Sequence, residues 1–89
     1  MGSYKIEWNV STEKDFRRIN PTDIPRIIKI ANALSYNPFP PKCRKIEGSE
    51  SLYRVRVGDY RIIYQVDRTR CIITIHYVRH RKDAYRGLS

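Results

Sequence analysis

The sequence predicts an α+β fold: a small antiparallel sheet, built from an N-terminal strand and a three-stranded meander, covered on one face by a two-helix hairpin. Three observations carry that expectation. The chain opens on a short alternating segment, "YKIEWNV"; it continues through helical signals from Ser11 to Tyr36; and from Leu52 to Val78 its apolar residues recur at every second position. With 89 residues, 40% of them hydrophobic, residues 1–89 have material for one modest core and form a single domain. Met1–Ser3 reads as a cloning remnant and is given no functional weight.

In the first strand Tyr4, Ile6 and Trp8 share one parity, while Lys5 and Glu7 take the other. Ser11 offers an N-cap for a helix to about Asn20, with Glu13 and Asp15 near its positive end, and Pro21 breaks it. A second helix is expected from Thr22 or Asp23 to about Tyr36, accommodating Pro25 in its first turn. Its apolar stripe, Ile24, Ile27, Ile28, Ala31 and Leu34, is read as packing on the sheet. "NPFPPKCRK", Asn37 to Lys45, is a connecting loop because its prolines remove donors and fix φ. That loop delivers Lys42, Arg44 and Lys45 beside the following hairpin.

"YRVRVGDYRIIYQVD", Tyr53 to Asp67, is a β-hairpin about Gly58-Asp59. A two-residue turn pairs Val57 with Tyr60, Arg56 with Arg61, Val55 with Ile62 and Arg54 with Ile63. Tyr53, Val55, Val57, Tyr60, Ile62 and Tyr64 then face the helices, and Arg54, Arg56 and Arg61 face the uncovered side. A turn near Asp67–Arg70 leads to the last strand, "CIITIHYV"; a four-residue loop sets His76 opposite Arg61 unless a bulge shifts the register. Tyr77 is assigned with the other strand tyrosines to the core.

The formal charge is +9, and residues 42–89 carry twelve of the eighteen basic side chains against five acidic ones. That asymmetry points to a polyanionic partner, because neutralising phosphates releases condensed counterions. An anionic membrane fits less well, since the cations lie on strands and not along one amphipathic helix. No apolar run of membrane-spanning length and no signal pattern occurs, so a soluble cytoplasmic protein is expected. Cys43 and Cys71 lie far apart in no metal-binding spacing and read as reduced structural thiols; no metal site is expected.

Like charges opposed across a ladder are destabilising by up to about 1 kcal/mol. Converging arginines make sense if a bound anion balances them, and planar bidentate donors suit phosphate. Downstream, "RHRKDAYR" adds Arg79, His80, Arg81, Lys82 and Tyr85, among which His80 and Tyr85 are candidates for proton transfer.

"LYRVRVGDYRIIYQVD" followed by "RHRKDAYR" resembles the RelE/ParE superfamily of toxin components of toxin–antitoxin pairs, and looks closest to its RelE-type branch of ribosome-dependent mRNA interferases. The similarity runs from "YKIEW" to Tyr85. It implies a fold related to microbial ribonucleases, cleavage of messenger RNA in the ribosomal A site without metal or cofactor, and inhibition by a cognate antitoxin. By the same resemblance Arg61 and Arg81 bind the scissile phosphate, and Tyr85 is a catalytic or base-stacking residue. Arg54 and Arg56 stand where RelE-type enzymes place basic residues, often lysines, one of which can act as base. Arginine stays protonated, so here the base falls to His80 or Tyr85. Lys42, Arg44, Lys45, Arg79 and Lys82 are then ribosome and RNA contacts. The alternatives are a ParE-like inhibitor of DNA gyrase, disfavoured by the Arg61, Arg81 and Tyr85 set, and an RNA-binding module without catalysis.

Overall fold

The computed structural model describes residues 3–82. Within them the elements follow in the order β1 (Lys5–Trp8), α1 (Thr12–Arg18), α2 (Ile24–Ala33), β2 (Arg44–Lys45), β3 (Leu52–Val57), β4 (Tyr60–Asp67) and β5 (Ile72–His80). They build a five-stranded sheet in the order β1-β5-β4-β3-β2, with the helices over one face. The α+β expectation holds. The sheet departs from the sequence reading first in its topology and its strand count.

The sheet is mixed, because β1 runs parallel to β5. The helical connection carries the chain from β1 at one edge to β2 at the other, and the antiparallel meander then returns to β1 with β5 aligned to it. Arg44–Lys45, assigned to the loop, instead pairs with β3, setting Arg44 opposite Arg54 and Lys45 opposite Tyr53. A proline-free dipeptide next to an unpaired strand satisfies backbone donors and acceptors by joining the ladder.

The core lies between the helices and the inner sheet face. Ile19, Ile27, Ala31 and Leu34 meet Val55, Val57, Ile62, Tyr64, Val66, Ile73, Ile75 and Val78. Ile28, placed in the apolar stripe by its spacing, is exposed at 40%, and Ile30 packs partly against the core in its place. The reason is rotational: Ile27, Ala31 and Leu34 centre the buried face, and Ile28 falls beyond its edge. Tyr64, fully buried, donates its hydroxyl to the Pro38 carbonyl at 2.7 Å. Burial, helped by neighbouring Cys43, raises that phenol well above the ordinary tyrosine range, so it serves as a neutral anchor for the proline-rich loop. Phe39 seals the same loop edge-on to Tyr53 at 4.9 Å, with the Arg68 guanidinium 4.8 Å from its ring.

The β3–β4 hairpin has the predicted register throughout. Gly58 takes φ 58° at the first central position, as a type II′ turn requires. The bulge falls in β5. Ile63 pairs with Tyr77 and Tyr64 with Ile75, so His76 is the inserted residue; because β5 also starts at Ile72 opposite Asp67, a shift of two, the bulge brings the total to three and Arg79, not His76, stands opposite Arg61. Inserting one residue reverses parity: Ile73 and Ile75 face the core before the bulge, and Val78 after it. Tyr77 is thereby moved from the expected core to the open face.

Among the described residues no helix is long and apolar enough to cross a membrane.

Candidate nucleic-acid interface

Pleat and register organise the open face into two rows. One crosses four strands as Arg44, Arg54, Ile63 and Tyr77; the next crosses three as Arg56, Arg61 and Arg79. Opposed Cβ atoms in such rows are about 4.5–5.5 Å apart, so guanidinium groups are brought together across four strands. Ile63 is only 2% exposed although it faces away from the helices. The arginine stems and Tyr77 around it form the floor of the site, as long cationic side chains do when they lie along apolar surface.

Pro41, Lys42, Arg44, Arg54, Arg56 and Arg61 line an open groove of ≈ 370 Å³. Five of these six side chains are cations, and none carries a carboxylate. The groove can grip a phosphodiester through several charge-assisted contacts at once, but it offers no proton acceptor.

Arg79 closes the other end of the row. Its guanidinium lies 4.7 Å from the Tyr77 ring centroid, and its Nε lies 3.2 Å from Asp15 Oδ1. Sequence reasoning counted Arg79 only as a peripheral contact and placed Asp15 at the helix start. The overlooked signal was Thr12, Asp15 and Ile19 at spacings of three and four, an acidic residue on the buried stripe of α1.

The remaining expected residues are distributed differently. Arg81 is exposed and its backbone N–H donates to Asp59 at 2.7 Å, fixing the chain beyond β5 against the β3–β4 turn. Lys82 is exposed, and its N–H donates to His80 Nδ1 at 3.2 Å. His80 pairs with Tyr60, whose ring it meets edge-on at 5.5 Å, on the helix-facing side of the sheet. The structure therefore separates His80 from the groove of Arg54, Arg56 and Arg61 and sets it instead in a second cavity at the end of β5, shared with Asp15, Arg18, Tyr60 and Arg79. Lys45 has the same parity as Tyr53 and likewise points away from the groove. Tyr85 lies outside the described residues.

His76 is held as a neutral imidazole. Its Nδ1 accepts from Asn9 Nδ2 at 3.3 Å and its Nε2 donates to Gln65 Oε1 at 3.0 Å, one open-face position beyond Ile63. Burial lowers its pKa from the ordinary histidine value. The unfolded chain therefore takes up this proton at a higher pH than the folded one. Stability from His76 is complete above the unfolded value near 6.5 and is lost as pH falls through the lowered folded value. Urea midpoints at pH 7.5, 6.5 and 5.5 are expected to fall more steeply for the parent than for His76→Gln; equal slopes would refute this linkage.

Comparison with known proteins finds toxins of type II toxin–antitoxin systems. Residues 6–85 match the family described as ParE toxin of type II toxin–antitoxin system, parDE. The chain is 28% identical to a Methanocaldococcus jannaschii protein named as the toxin RelE1, over 94% of this chain and 97% of that one. It is 26% identical to the toxin RelG of Mycobacterium tuberculosis, over 93% and 97%. The toxin in the crystal structure of the archaeal RelE–RelB complex from Pyrococcus horikoshii OT3 superposes with a TM-score of 0.78 at 29% identity, covering 92% of this chain and 99% of that one.

Proposed function

Because the chain belongs to the ParE toxin family of type II toxin–antitoxin systems, within a superfamily where its named relatives are RelE-type toxins, we propose that it is a ribosome-dependent endoribonuclease. It cleaves messenger RNA in the ribosomal A site and so arrests translation. The observation that carries this reading is the row Arg56, Arg61, Arg79 beside a groove that has no carboxylate among its described lining residues, an arrangement suited to a phosphate in transit through a dianionic transition state.

In the proposed reaction a ribose 2′-oxygen attacks the adjacent phosphorus. The P–O5′ bond breaks, leaving a 2′,3′-cyclic phosphate and a 5′-hydroxyl; the proton from the 2′-OH goes to a base and the departing oxygen receives one from an acid. Arg61, with Arg54 and Arg56 in the same groove and Arg79 across the ladder, stabilises the charge on the phosphorane, usually the largest single contribution, and the family resemblance adds Arg81 to this set. Lys42 and Arg44 hold the flanking backbone. Proton transfer falls to Tyr85 or to the ribosome, since arginine cannot accept a proton and His80 lies on the other face. An enzyme so poor in acid and base groups depends on the ribosome to orient its substrate.

The partner that silences it is a cognate antitoxin, as the RelB partner of the Pyrococcus relative supports. A surface of charge +9 favours a partner rich in acidic residues. A purified translation reaction programmed with a defined messenger decides the function. Cleavage at the A-site codon, relieved by the antitoxin, is expected. The family's ParE name favours one rival: loss of gyrase supercoiling with intact messenger would replace the nuclease by a gyrase inhibitor. Tight RNA binding with neither effect would make the chain a non-catalytic module.

A further inference from the structure

We propose that Asp15 is the positioning residue of the arginine face: from α1 it clamps Arg79 against Tyr77 at the outer edge of β5, in the strand position that pairs with Arg61. The catalytic meaning of this clamp rests on the nuclease reading above; the clamp itself does not.

The fold leaves a gap that Asp15 fills. β1 stops at Trp8, paired with Ile75, while β5 continues to His80 with its outer edge no longer covered by a strand. A buried strand edge needs partners for its backbone donors. α1 supplies one. Its start is tied to the bulge, with Ser11 Oγ donating to the His76 carbonyl at 2.8 Å and Thr12 Oγ1 to the Asn9 carbonyl at 2.6 Å. One turn later Asp15, 7% exposed, accepts the Val78 N–H through Oδ2 at 3.0 Å and faces Arg79 Nε through Oδ1 at 3.2 Å.

The second contact exceeds what edge-capping requires. Nε is shielded from solvent and has no aligned hydrogen-bond acceptor among the described residues, so Asp15 compensates it by charge at short range and not by a linear bond. Ion pairing at Nε and stacking on Tyr77 restrain the stem and plane of the guanidinium, leaving its terminal amino groups as the fork that can meet phosphate. A neutral acceptor would also serve Val78, though less strongly. The charge of the carboxylate is what neutralises Arg79.

Asp15→Asn keeps an acceptor for Val78 and removes the charge. Its thermal midpoint is expected within about 5 °C of the parent, a change of order 1 kcal/mol for a domain of this size. The Arg79 Nε–H resonance should shift and its hydrogen exchange accelerate at least about tenfold. On programmed ribosomes single-turnover cleavage should fall roughly 10- to 100-fold with ribosome affinity unchanged, the scale of a misplaced transition-state contact. In an Arg79→Ala background the same substitution should cause no further loss. An unchanged Nε–H signal, or an equal loss in both backgrounds, overturns the proposal. If the parent does not cleave at all, the nuclease reading fails, and the resonance and exchange measurements alone decide whether Asp15 holds Arg79. Should Asp15→Asn not fold, Tyr77→Leu provides the second test: it removes the stacking half of the clamp, and Arg79 Nε–H exchange unchanged from the parent would refute it.

Discussion

Replacing Arg61 by alanine is expected to lower single-turnover cleavage on programmed ribosomes by about 10²- to 10³-fold, the usual consequence of removing one donor aimed at developing negative charge. Arg61 stands in the middle strand of its row, between Arg56 and Arg79, and is half-buried. A guanidinium there meets a phosphate with little further loss of freedom. Folding should not suffer. Arg61 donates within the protein only a long contact to the Tyr60 carbonyl at 3.4 Å among the described bonds, and its removal relieves a repulsion worth up to about 1 kcal/mol. The alanine variant should therefore be as stable as the parent or slightly more so. Arg61→Lys keeps the charge and loses the fork, and should lie nearer to alanine than to the parent. Parental cleavage rates in both variants would remove Arg61 from the mechanism.

Tyr85 should show an effect of similar size, and its two candidate roles separate by chemistry. Tyr85→Phe retains the ring and loses the hydroxyl; a general acid or base is worth about 10²–10⁴ in rate. If Tyr85 moves a proton, Phe and Ala should both lose at least two orders of magnitude. If it stacks on a base, Phe should cleave near the parental rate while Ala loses affinity, since base–aromatic stacking contributes about 1–3 kcal/mol. Proton transfer is the expected outcome, because the five cations of the groove offer no acceptor and His80 faces the helices. Parental activity in Tyr85→Ala would leave the proton to Glu47, His76 or the ribosome.

The clamp at Asp15 bears on both results. With Arg79 held by a carboxylate, one of the three guanidinium groups in the row is partly compensated before substrate arrives. The residual repulsion then falls on Arg56 and Arg61, the pair opposed directly across the hairpin ladder. A toxin arranged this way holds a site whose unfavourable charge density is relieved by a polyanion. Substrate RNA and an acidic antitoxin segment would each provide that relief.

The hairpin and its arginine face were legible because their causes are local. Alternation over Tyr53–Asp67 and a two-residue turn with glycine at its first central position leave one register, and a slip by one residue would expose the whole apolar set. The apolar stripe of α2 was likewise written in its spacing, apart from Ile28. The family resemblance rested on the same contiguous stretches. What only the tertiary structure decided is non-local. The parallel seating of β1 beside β5, the pairing of Arg44 with Arg54, the later start of β5 and its bulge that together set Arg79 in place of His76 opposite Arg61, and the reach of Asp15 to β5 each join residues distant in the chain. Their energies come from filling one shared edge or face, so no single segment contains them. Amide pairing and apolar alternation within the hairpin determine which arginines share a face. The closing of that face by α1 and the C-terminal part of β5 depends on where β1 ends, and that is settled only when the whole sheet is assembled.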